Sequence, residues 1–434
     1  MTKFFNSIQP IHYVIGMMLI ILFSPYIIPR LRIDHLLLVG LFLFFFLKGR
    51  FFSRPGIYIV IFYFFGFAVT FYRIIFLSEV LTRWSPFFDY MEWLIRGFLL
   101  FEFTKFILRN GSAEEHVILL FRTWVFATVV IGFIALLQMI PATSAITNNF
   151  IGQFYVNEAF LDTLQGGSRS ASITSHPGTY GQIFLTSIII LTVARHNFFE
   201  GKFVTNCLFG LIILMSFFSL SKNIFLGIPL LIATVLLYQS FKLNFYYKVI
   251  FFIPFLVLAI LVISLNTPNF YVLDQFIMDS LSLRLQYFYT VVKGAVNLLG
   301  DFDILFQATL GVRYLEAQSA DVTVFLNNIF FGVGFTEHSL RLSDSGYTPF
   351  LLVGGIIGFL PLIFYISSII ASAFEGMKKL ESIETMYLFR NIFLLLIIFN
   401  LLIGTGQQTF TLDKSGDLFF ILSGILSMLS TKKL

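Results

Sequence analysis

The chain has 434 residues, of which 58% are hydrophobic and 12% are charged, and its mean hydropathy is +0.89. Soluble globular proteins carry roughly 25% charged residues, so this composition excludes a chain that folds as a water-soluble domain. The net charge is +5, but the basic residues are scattered through short polar segments, which excludes the single basic surface typical of nucleic-acid binding.

Apolar runs recur from one end of the chain to the other, and a helix needs about 20 such residues to cross a hydrocarbon core. The runs predict about twelve membrane-spanning helices. They lie at residues 11–28, 32–47, 56–77, 86–107, 117–140, 178–194, 204–220, 223–239, 249–265, 347–373, 389–405 and 415–430. The first run lacks a small-residue cleavage pattern, so it is predicted to be retained. The sequence predicts an all-α polytopic membrane protein that forms a single transmembrane bundle over residues 1–434.

Basic residues concentrate on one side of the predicted spans. Connections on the N-terminal side are rich in them, and those on the other side hold few. Because cytoplasmic loops are enriched in Lys and Arg, both termini are predicted to be cytoplasmic. Two long connections, 141–177 and 266–346, then lie outside the cell membrane, and loops of this length usually carry function. The apolar periodicity of Leu281 to Val296 predicts amphipathic helices in the longer loop, between spans nine and ten.

Cations on the predicted external side are candidates for binding an anion. Arg169, Lys222 and Arg284 are assigned to the neighbourhood of predicted span ends, and Arg284, Arg313 and Arg341 all fall within the longer loop. A diphosphate at a membrane surface needs several positive charges, because contacts between charged groups and phosphate are the strong ones. The alternative for each residue taken singly is a side chain that extends to the headgroup region.

A polar stretch from Gly332 to Tyr347 closes the longer loop and leads into the tenth span. His338 is a candidate general base there, because imidazole titrates near neutral pH, and Glu337 and Asp344 are further candidates. The alternative is an idle surface histidine. His176, which precedes Pro177, is a weaker candidate that we expect to fix the entry to its span.

Ionisable residues also occur inside predicted spans. Glu92 and Arg96 lie four residues apart in the fourth span and so share a helix face, and Arg73 lies near the outer end of the third. Charged groups in a bilayer usually face the bundle interior, so these residues are candidates for supporting the site. The alternative is a structural ion pair.

Metal and cofactor chemistry has little support in the sequence. Cys207 is the single cysteine, and the six histidines are scattered along the chain. We find no phosphate-binding P-loop, no paired-histidine motif and no Gly-x-Ser-x-Gly nucleophile elbow. The sequence therefore predicts neither a metal site nor a bound cofactor.

Three short motifs resemble those of the O-antigen polymerase and ligase superfamily, the Wzy and WaaL type. They are Arg169-Ser-Ala-Ser-Ile-Thr-Ser-His-Pro-Gly before a span, Ser219-Leu-Ser-Lys222, and Phe331-Gly-Val-Gly-Phe followed by His338, Asp344 and Gly354-Gly-Ile-Ile-Gly. The similarity in span number and loop placement extends over nearly the whole chain. The chain departs from the family pattern at Lys222, where arginine is usual, and at Gly178, where asparagine is usual.

The resemblance implies a metal-independent glycosyltransferase of the membrane GT-C type, in the inner membrane of a bacterium. Its donor would be an oligosaccharide linked to undecaprenyl diphosphate, and the external cations, Arg169 and Arg284 above all, would stabilise the leaving diphosphate while His338 accepts a proton. A polymerase for O-antigen, capsule or exopolysaccharide is favoured, acting on a lipid-linked repeat unit beside a flippase and a chain-length regulator. Such a site requires Arg169, Lys222, Arg284 and His338 to converge.

Other functions fit the same span count. An O-antigen ligase would use the same donor but transfer the glycan to lipid A core. A twelve-span transporter or a flippase for lipid-linked oligosaccharides is the main alternative from another class, and a scaffolding protein is a third. A major-facilitator transporter would show two similar halves and a charged motif after its second span, whereas 48–54 lacks the acidic member of that motif.

Overall fold

The computed structural model describes most of the N-terminal half of the chain and most of its C-terminal quarter. The described residues are 9–28, 31–49, 53–77, 85–108, 112–155, 172–174, 177–194, 199, 201–219, 224, 227–228, 231, 324–336, 348–380, 382–404 and 414–431.

The described residues are mainly helical. The α-helices are α1 (Pro10–Phe23), α2 (Ile33–Leu47), α3 (Arg54–Leu77), α4 (Ser85–Ile107), α5 (Ala113–Met139), α6 (Pro141–Phe154), α7 (Pro177–Ala194), α8 (Lys202–Ser216), α9 (Thr348–Met377), α10 (Ile383–Gly404) and α11 (Lys414–Thr431). Short 3₁₀ turns cover Ser172–Thr174 and Phe217–Ser219, and β1 (Tyr26–Ile28) pairs antiparallel with β2 (Leu31–Arg32).

Every predicted span outside 223–239 and 249–265 has a described helix at its position. Those two spans lie outside the described residues, apart from 224, 227–228 and 231. The predicted end of the first span at residue 28 is wrong, because α1 ends at Phe23 and the chain turns into β1. Ser24 is already extended, with φ −69° and ψ 116°, as expected for a residue that precedes proline.

Four helical segments of the described chain are long and apolar enough to cross a membrane: Arg54–Leu77, Ala113–Met139, Phe350–Met377 and Ile383–Leu401. Shorter apolar helices accompany them, including α1, α2 and α8. The chain therefore has the character of a membrane protein, and the number of twelve spans stays a prediction.

The chain packs as two compact units. The first comprises Met1–Ile131, Thr186–Ile212 and Ala317–Leu434, and the second comprises Gly132–Leu185 and Ile213–Glu316. The prediction of a single bundle over 1–434 stays a prediction.

In the first unit, glycines allow α4 and α11 to pack closely. A Cβ atom added to Gly97 would lie 2.5 Å from the Phe420 ring, and one added to Gly424 would lie 2.8 Å from the carbonyl oxygen of Phe101. Small residues bring helices together in membranes, where lipid supplies no hydrophobic force between them. The two contacts also show that α4 and α11 run in the same direction.

Helix α3 packs antiparallel against α9 in the same unit. The rings of Tyr58 and Phe364 are 5.7 Å apart, and those of Phe62 and Phe350 are 5.8 Å apart. Since α3 corresponds to the third predicted span, and α4, α9 and α11 to the fourth, tenth and twelfth, these directions agree with the alternation of the predicted spans.

In the second unit, α7 packs against α8 through a buried tyrosine. The Tyr180 hydroxyl donates a 2.8 Å hydrogen bond to the carbonyl oxygen of Met215, and the ring of Tyr180 stacks on Phe184 with centroids 4.3 Å apart. The hydroxyl satisfies a carbonyl near the end of α8, where helical acceptors lack partners.

Candidate functional site

Two structures in the first unit bring distant parts of the chain together and hold charged or irregular polar groups. We call the first the charged cluster, formed by Arg32, Asp34, Arg96 and Asp417. We call the second the docked segment, residues 328–336, which lies against α3 and α9.

The charged cluster centres on the Arg96 guanidinium, which is 4% exposed. Its Nε donates to Asp417 Oδ1 at 2.8 Å and its Nη2 donates to the other oxygen of the same carboxylate, in bidentate geometry. The Nη1 atom lies 3.5 Å from Asp34 Oδ2. Arg32 completes the set, because its Nε and Nη2 donate to the two oxygens of Asp34 at 3.0 and 2.8 Å.

Helix ends contribute to the stability of the two carboxylates. Asp34 lies in the first turn of α2 and Asp417 in the first turn of α11, where the helix dipole favours negative charge. The Asp34 N–H donates a 2.9 Å bond to Ser24 Oγ, which ties the cluster to the end of α1. With two arginines and two aspartates the cluster is neutral, so we assign it a structural role that joins α2, α4 and α11.

The role of Arg96 as an in-membrane support for the site stays a prediction, and its partners in the structure were missed. Asp34 and Asp417 hold its guanidinium, and the side chain of Glu92 lies outside the described part of the chain. A signal was present in the sequence, since both aspartates fall inside predicted spans, where any ionisable residue needs a partner.

The docked segment is joined to a break in α9. Gly355 has φ +58° inside that helix, and the amides of Ile356 and Ile357 donate to Ile329 O at 2.9 Å and Phe330 O at 3.1 Å. The helical acceptors that these amides would otherwise use are Leu352 O and Val353 O. Those two carbonyls instead accept hydrogen bonds from backbone amides of the docked segment.

Val333 N donates to Leu352 O at 2.7 Å, and Gly334 N donates to Val353 O at 3.0 Å. At the break, two amides and two carbonyls of α9 therefore make four hydrogen bonds to the docked segment. Unsatisfied backbone groups are costly in a membrane, where irregular backbone occurs only when it is buried in protein or lines a cavity. The segment and the broken helix consequently require each other.

Glycines make this approach possible. Gly332 and Gly334 have φ of +71° and +66°, which only glycine adopts readily. A Cβ at Gly332 would lie 2.5 Å from the backbone nitrogen of Gly355, and one at Gly334 would lie 2.5 Å from Thr70 Oγ1. The two glycines of the Phe331-Gly-Val-Gly-Phe motif are thus required both by their positive φ and by the lack of space for a side chain.

Helix α3 holds the segment at two positions one turn apart. Thr70 Oγ1 donates to Gly66 O at 2.6 Å and accepts from Phe335 N at 2.7 Å. Arg73 Nη1 donates to Asn328 Oδ1 at 2.8 Å. The Phe335 ring packs among aromatic side chains of the same helix, namely Phe62, Tyr63 and Phe67.

Arg73 therefore contacts the docked segment through Asn328, and its role as a support for the site stays a prediction. Its position on α3 was predicted, but its partner was not, because Asn328 lies 255 positions away and carries no charge that would indicate a pair.

The Arg169 motif is described only from Ser172 onward. Ser172 has φ +50°, is buried, and its N–H donates to Gln138 Oε1 at 2.8 Å. Ile173 and Thr174 are buried in the same 3₁₀ turn, and α7 begins at Pro177, a residue suited to a first helical turn. The end of the motif therefore has a fixed place in the second unit.

The main predicted site residues lie outside the described residues: Arg169, Lys222, Arg284, Arg313, Arg341 and His338, and with them His176, Glu337 and Asp344. Their convergence stays a prediction. Within the part of the chain that the structure describes, no group of three or more His, Cys, Asp or Glu side chains can hold a metal ion. Cys207 is exposed on α8.

A scan against protein-family models and a search of curated proteins both find no match. The resemblance to the O-antigen polymerase and ligase superfamily therefore remains an expectation that rests on the motifs named above.

Proposed function

We propose that the protein is a bacterial polysaccharide polymerase. It transfers a glycan chain from undecaprenyl diphosphate onto a lipid-linked repeat unit at the outer face of the inner membrane, with both termini in the cytoplasm. The proposal rests on the three sequence motifs and on the way in which the described part of the third motif packs.

The docked segment is the single observation that carries the proposal. It ends at Thr336, two positions before His338, and α9 begins at Thr348. The described residues that flank 337–347 are therefore fixed in place: Thr336 ends a segment held by α3 and α9, and Thr348 begins α9. An active-site loop held at both ends by a rigid scaffold is what precise positioning of a catalytic side chain requires.

The proposed reaction is a displacement at the anomeric carbon of the donor sugar. A hydroxyl oxygen of the acceptor sugar forms the new glycosidic bond, and the bond between the anomeric carbon and the diphosphate oxygen breaks. The proton of the hydroxyl passes to His338, and undecaprenyl diphosphate leaves with the bonding electrons. No oxidant, metal or cofactor enters this balance.

Electrostatic stabilisation of the leaving diphosphate should be the largest contribution to the rate. Arg169, Lys222 and Arg284 are the proposed ligands of the diphosphate, with Arg313 and Arg341 as further members. A general base such as His338 contributes about 10²- to 10⁴-fold. The charged cluster takes no part in this step, because its arginines are already matched by carboxylates.

A flippase or transporter of lipid-linked oligosaccharides is the second candidate. The break of α9 at Gly355 favours it, because broken helices are typical of transporter binding sites. A ligase shares the donor chemistry of the polymerase and differs in its acceptor, lipid A core.

The length of the sugar polymer in cells distinguishes these functions. We compare cells that carry Arg284→Ala with cells that carry an expression-matched Lys293→Ala control in the same predicted loop. A polymerase predicts single repeat units on the carrier or core in Arg284→Ala and long chains in Lys293→Ala.

Other outcomes overturn the proposal. Long chains that remain on the carrier in Arg284→Ala, without transfer to core, indicate a ligase. Repeat units absent from the outer face indicate a flippase. Unchanged polymer in both strains contradicts all three functions.

A further inference from the structure

Helix α6 follows α5 after a bend that its sequence explains. Pro141 has no N–H, so Leu137 O lacks the donor that a continuous helix would supply. Thr143 Oγ1 donates to Leu137 O instead, at 2.7 Å. Ile140 between the helices is extended, with φ −75° and ψ 121°. The chain therefore stops one helix and starts another without leaving this carbonyl unsatisfied.

A buried glutamine fixes α6 beside the end of α5. Gln138 is 2% exposed, and its Nε2 donates to Asn148 Oδ1 at 3.1 Å, while its Oε1 accepts from Ser172 N at 2.8 Å. Ile151 of α6 is fully buried. Helix α6 is thus a packed element of the second unit, with one side turned inward.

The other side of α6 exposes a stripe of large apolar residues. Ile146, Phe150 and Phe154 are 76%, 51% and 42% exposed. They are spaced four residues apart and so lie along one side of the helix. The rings of Phe150 and Phe154 have centroids 5.3 Å apart, which makes the stripe continuous toward its end.

The end of α5 exposes a similar stripe. Phe133 and Leu137 are also exposed large apolar residues, on a helix that is long and apolar enough to cross a membrane, and the exposed Ile140 follows directly after that helix. The exposed apolar surface of the spanning helix therefore continues along the chain into α6. No Asp, Glu, Lys or Arg occurs between Thr123 and Asn157, so the polar positions of α6 carry only neutral groups.

We propose that α6 lies in the membrane interface, with Ile146, Phe150 and Phe154 in contact with lipid acyl chains. An amphipathic helix with a continuous apolar stripe binds there by burying that stripe at the boundary between headgroups and chains. Because α6 has no charged residue, insertion depends on apolar contact and not on anionic headgroups. This inference is independent of the proposed function, since it concerns the lipid environment alone.

Site-directed spin labelling of the full-length protein tests the inference. In a Cys207→Ser background, single cysteines replace Ile146, Phe150 and Phe154, and matched controls replace the exposed residue that precedes each: Ala145, Asn149 and Gln153. The labelled protein is placed in phosphatidylcholine vesicles. We then measure the collision rate of each nitroxide with molecular oxygen and with a water-soluble nickel chelate.

At the three stripe positions, we expect the collision rate of the nitroxide with oxygen to exceed its collision rate with the nickel chelate at least several-fold. At the three control positions, we expect the collision rate with the nickel chelate to be the higher one. Equal access of nickel to both sets would place the stripe in water and overturn the inference. Exclusion of both reagents from the stripe would show that protein covers it, which also overturns the inference.

A second pair of measurements tests the same contact without a spin label, which could itself alter the position of α6. Ile146→Trp is an apolar replacement at an exposed position. The fluorescence that it adds to that of the three native tryptophans, measured as the difference from the unaltered protein, should be quenched by brominated phosphatidylcholine and not by aqueous iodide. Adding phosphatidylglycerol to the vesicles should leave both readouts unchanged. Quenching by iodide alone, or a requirement for phosphatidylglycerol, would contradict the proposed contact.

Discussion

The charged cluster and the docked segment both join residues that are far apart in the chain, but they use opposite means. Arg96 and Asp417, 321 positions apart, meet through charged side chains, whereas Thr70 and Phe335, 265 positions apart, meet through a hydroxyl and a backbone amide. All four residues of the cluster are charged, and the contacts among them join side chains and involve no glycine. The segment depends on three glycines with positive φ, at 332, 334 and 355.

The charged cluster and the docked segment should therefore tolerate substitution differently. A neutral cluster of buried charges can be replaced by apolar side chains of similar volume, because desolvation offsets much of its attraction. A segment held by backbone bonds cannot be replaced in that way, because any side chain at Gly332 overlaps the backbone of α9. We therefore expect the cluster to set stability, and the segment to set the position of the chain that follows it.

The largest expected effect is on the cluster. Asp417→Ala removes the bidentate partner of the buried Arg96 and leaves its longer contact to Asp34 in place. Breaking a buried pair from one side costs about 3–5 kcal/mol of stability. The measurement is the thermal unfolding midpoint in detergent. Glu384→Ala, an exposed acidic residue in the first turn of α10, is the matched control, and it should change stability by less than about 0.5 kcal/mol.

The double variant Arg96→Met with Asp417→Leu tests whether the cluster can be replaced by apolar side chains. It should recover most of the stability that Asp417→Ala loses, because no charge is then left unmatched between α4 and α11. A double variant as unstable as the single one would show that the charges are needed for more than pairing.

The sequence predicted where most of the described helices lie, but not which helices pack together or where α1 ends. Apolar runs set by membrane thickness predicted α3 and α4 to within two residues at each end. The pairing of Arg96 with Asp417 depends on which helices are neighbours, and spacing along one helix does not contain that information. The end of α1 at Phe23 was missed because apolar residues continue into β1, where composition alone does not separate helix from strand.

The docked segment was predicted as a motif but not as a structure. Phe331-Gly-Val-Gly-Phe and Gly354-Gly-Ile-Ile-Gly were named only as motifs of the family resemblance, and neither the positive φ of their glycines nor the break in α9 was predicted. Only the structure shows that the segment and the broken helix satisfy each other's backbone hydrogen-bonding groups. The catalytic set predicted around His338 and Arg284 lies outside the described residues, so for it the sequence remains the only source.

The second expected effect is on the segment itself. Gly332→Ala adds a methyl group 2.5 Å from backbone atoms of α9 at a residue with φ +71°. Overpacking and left-handed backbone together cost about 2–4 kcal/mol. Unfolding in detergent measures the loss. Gly210→Ala, in α8 with nothing within 4 Å of the added atom, should be neutral or slightly stabilising, and equal losses in both variants would refute the steric argument.

A smaller effect on stability, but a specific one on function, is expected for Thr70→Val. Valine matches the shape of threonine but cannot accept from Phe335 N, and an unsatisfied buried amide costs about 1–3 kcal/mol. We expect shorter sugar polymer at unchanged protein level, with recovery in Thr70→Ser. Thr123→Val, which removes only a bond to Leu119 O within α5, is the control. Polymer of normal length in Thr70→Val would show that the segment does not position the site.

The central claim is glycosyl transfer from a lipid diphosphate, and reconstitution tests it most directly. Purified protein in vesicles receives undecaprenyl-diphosphate-linked repeat units, and we measure glycan length and released undecaprenyl diphosphate together. The account predicts longer glycans with one carrier released for each bond formed, both lost in Arg284→Ala and both retained in Lys293→Ala. Repeat units that cross the bilayer without growing, or that remain unchanged with every variant, would contradict it.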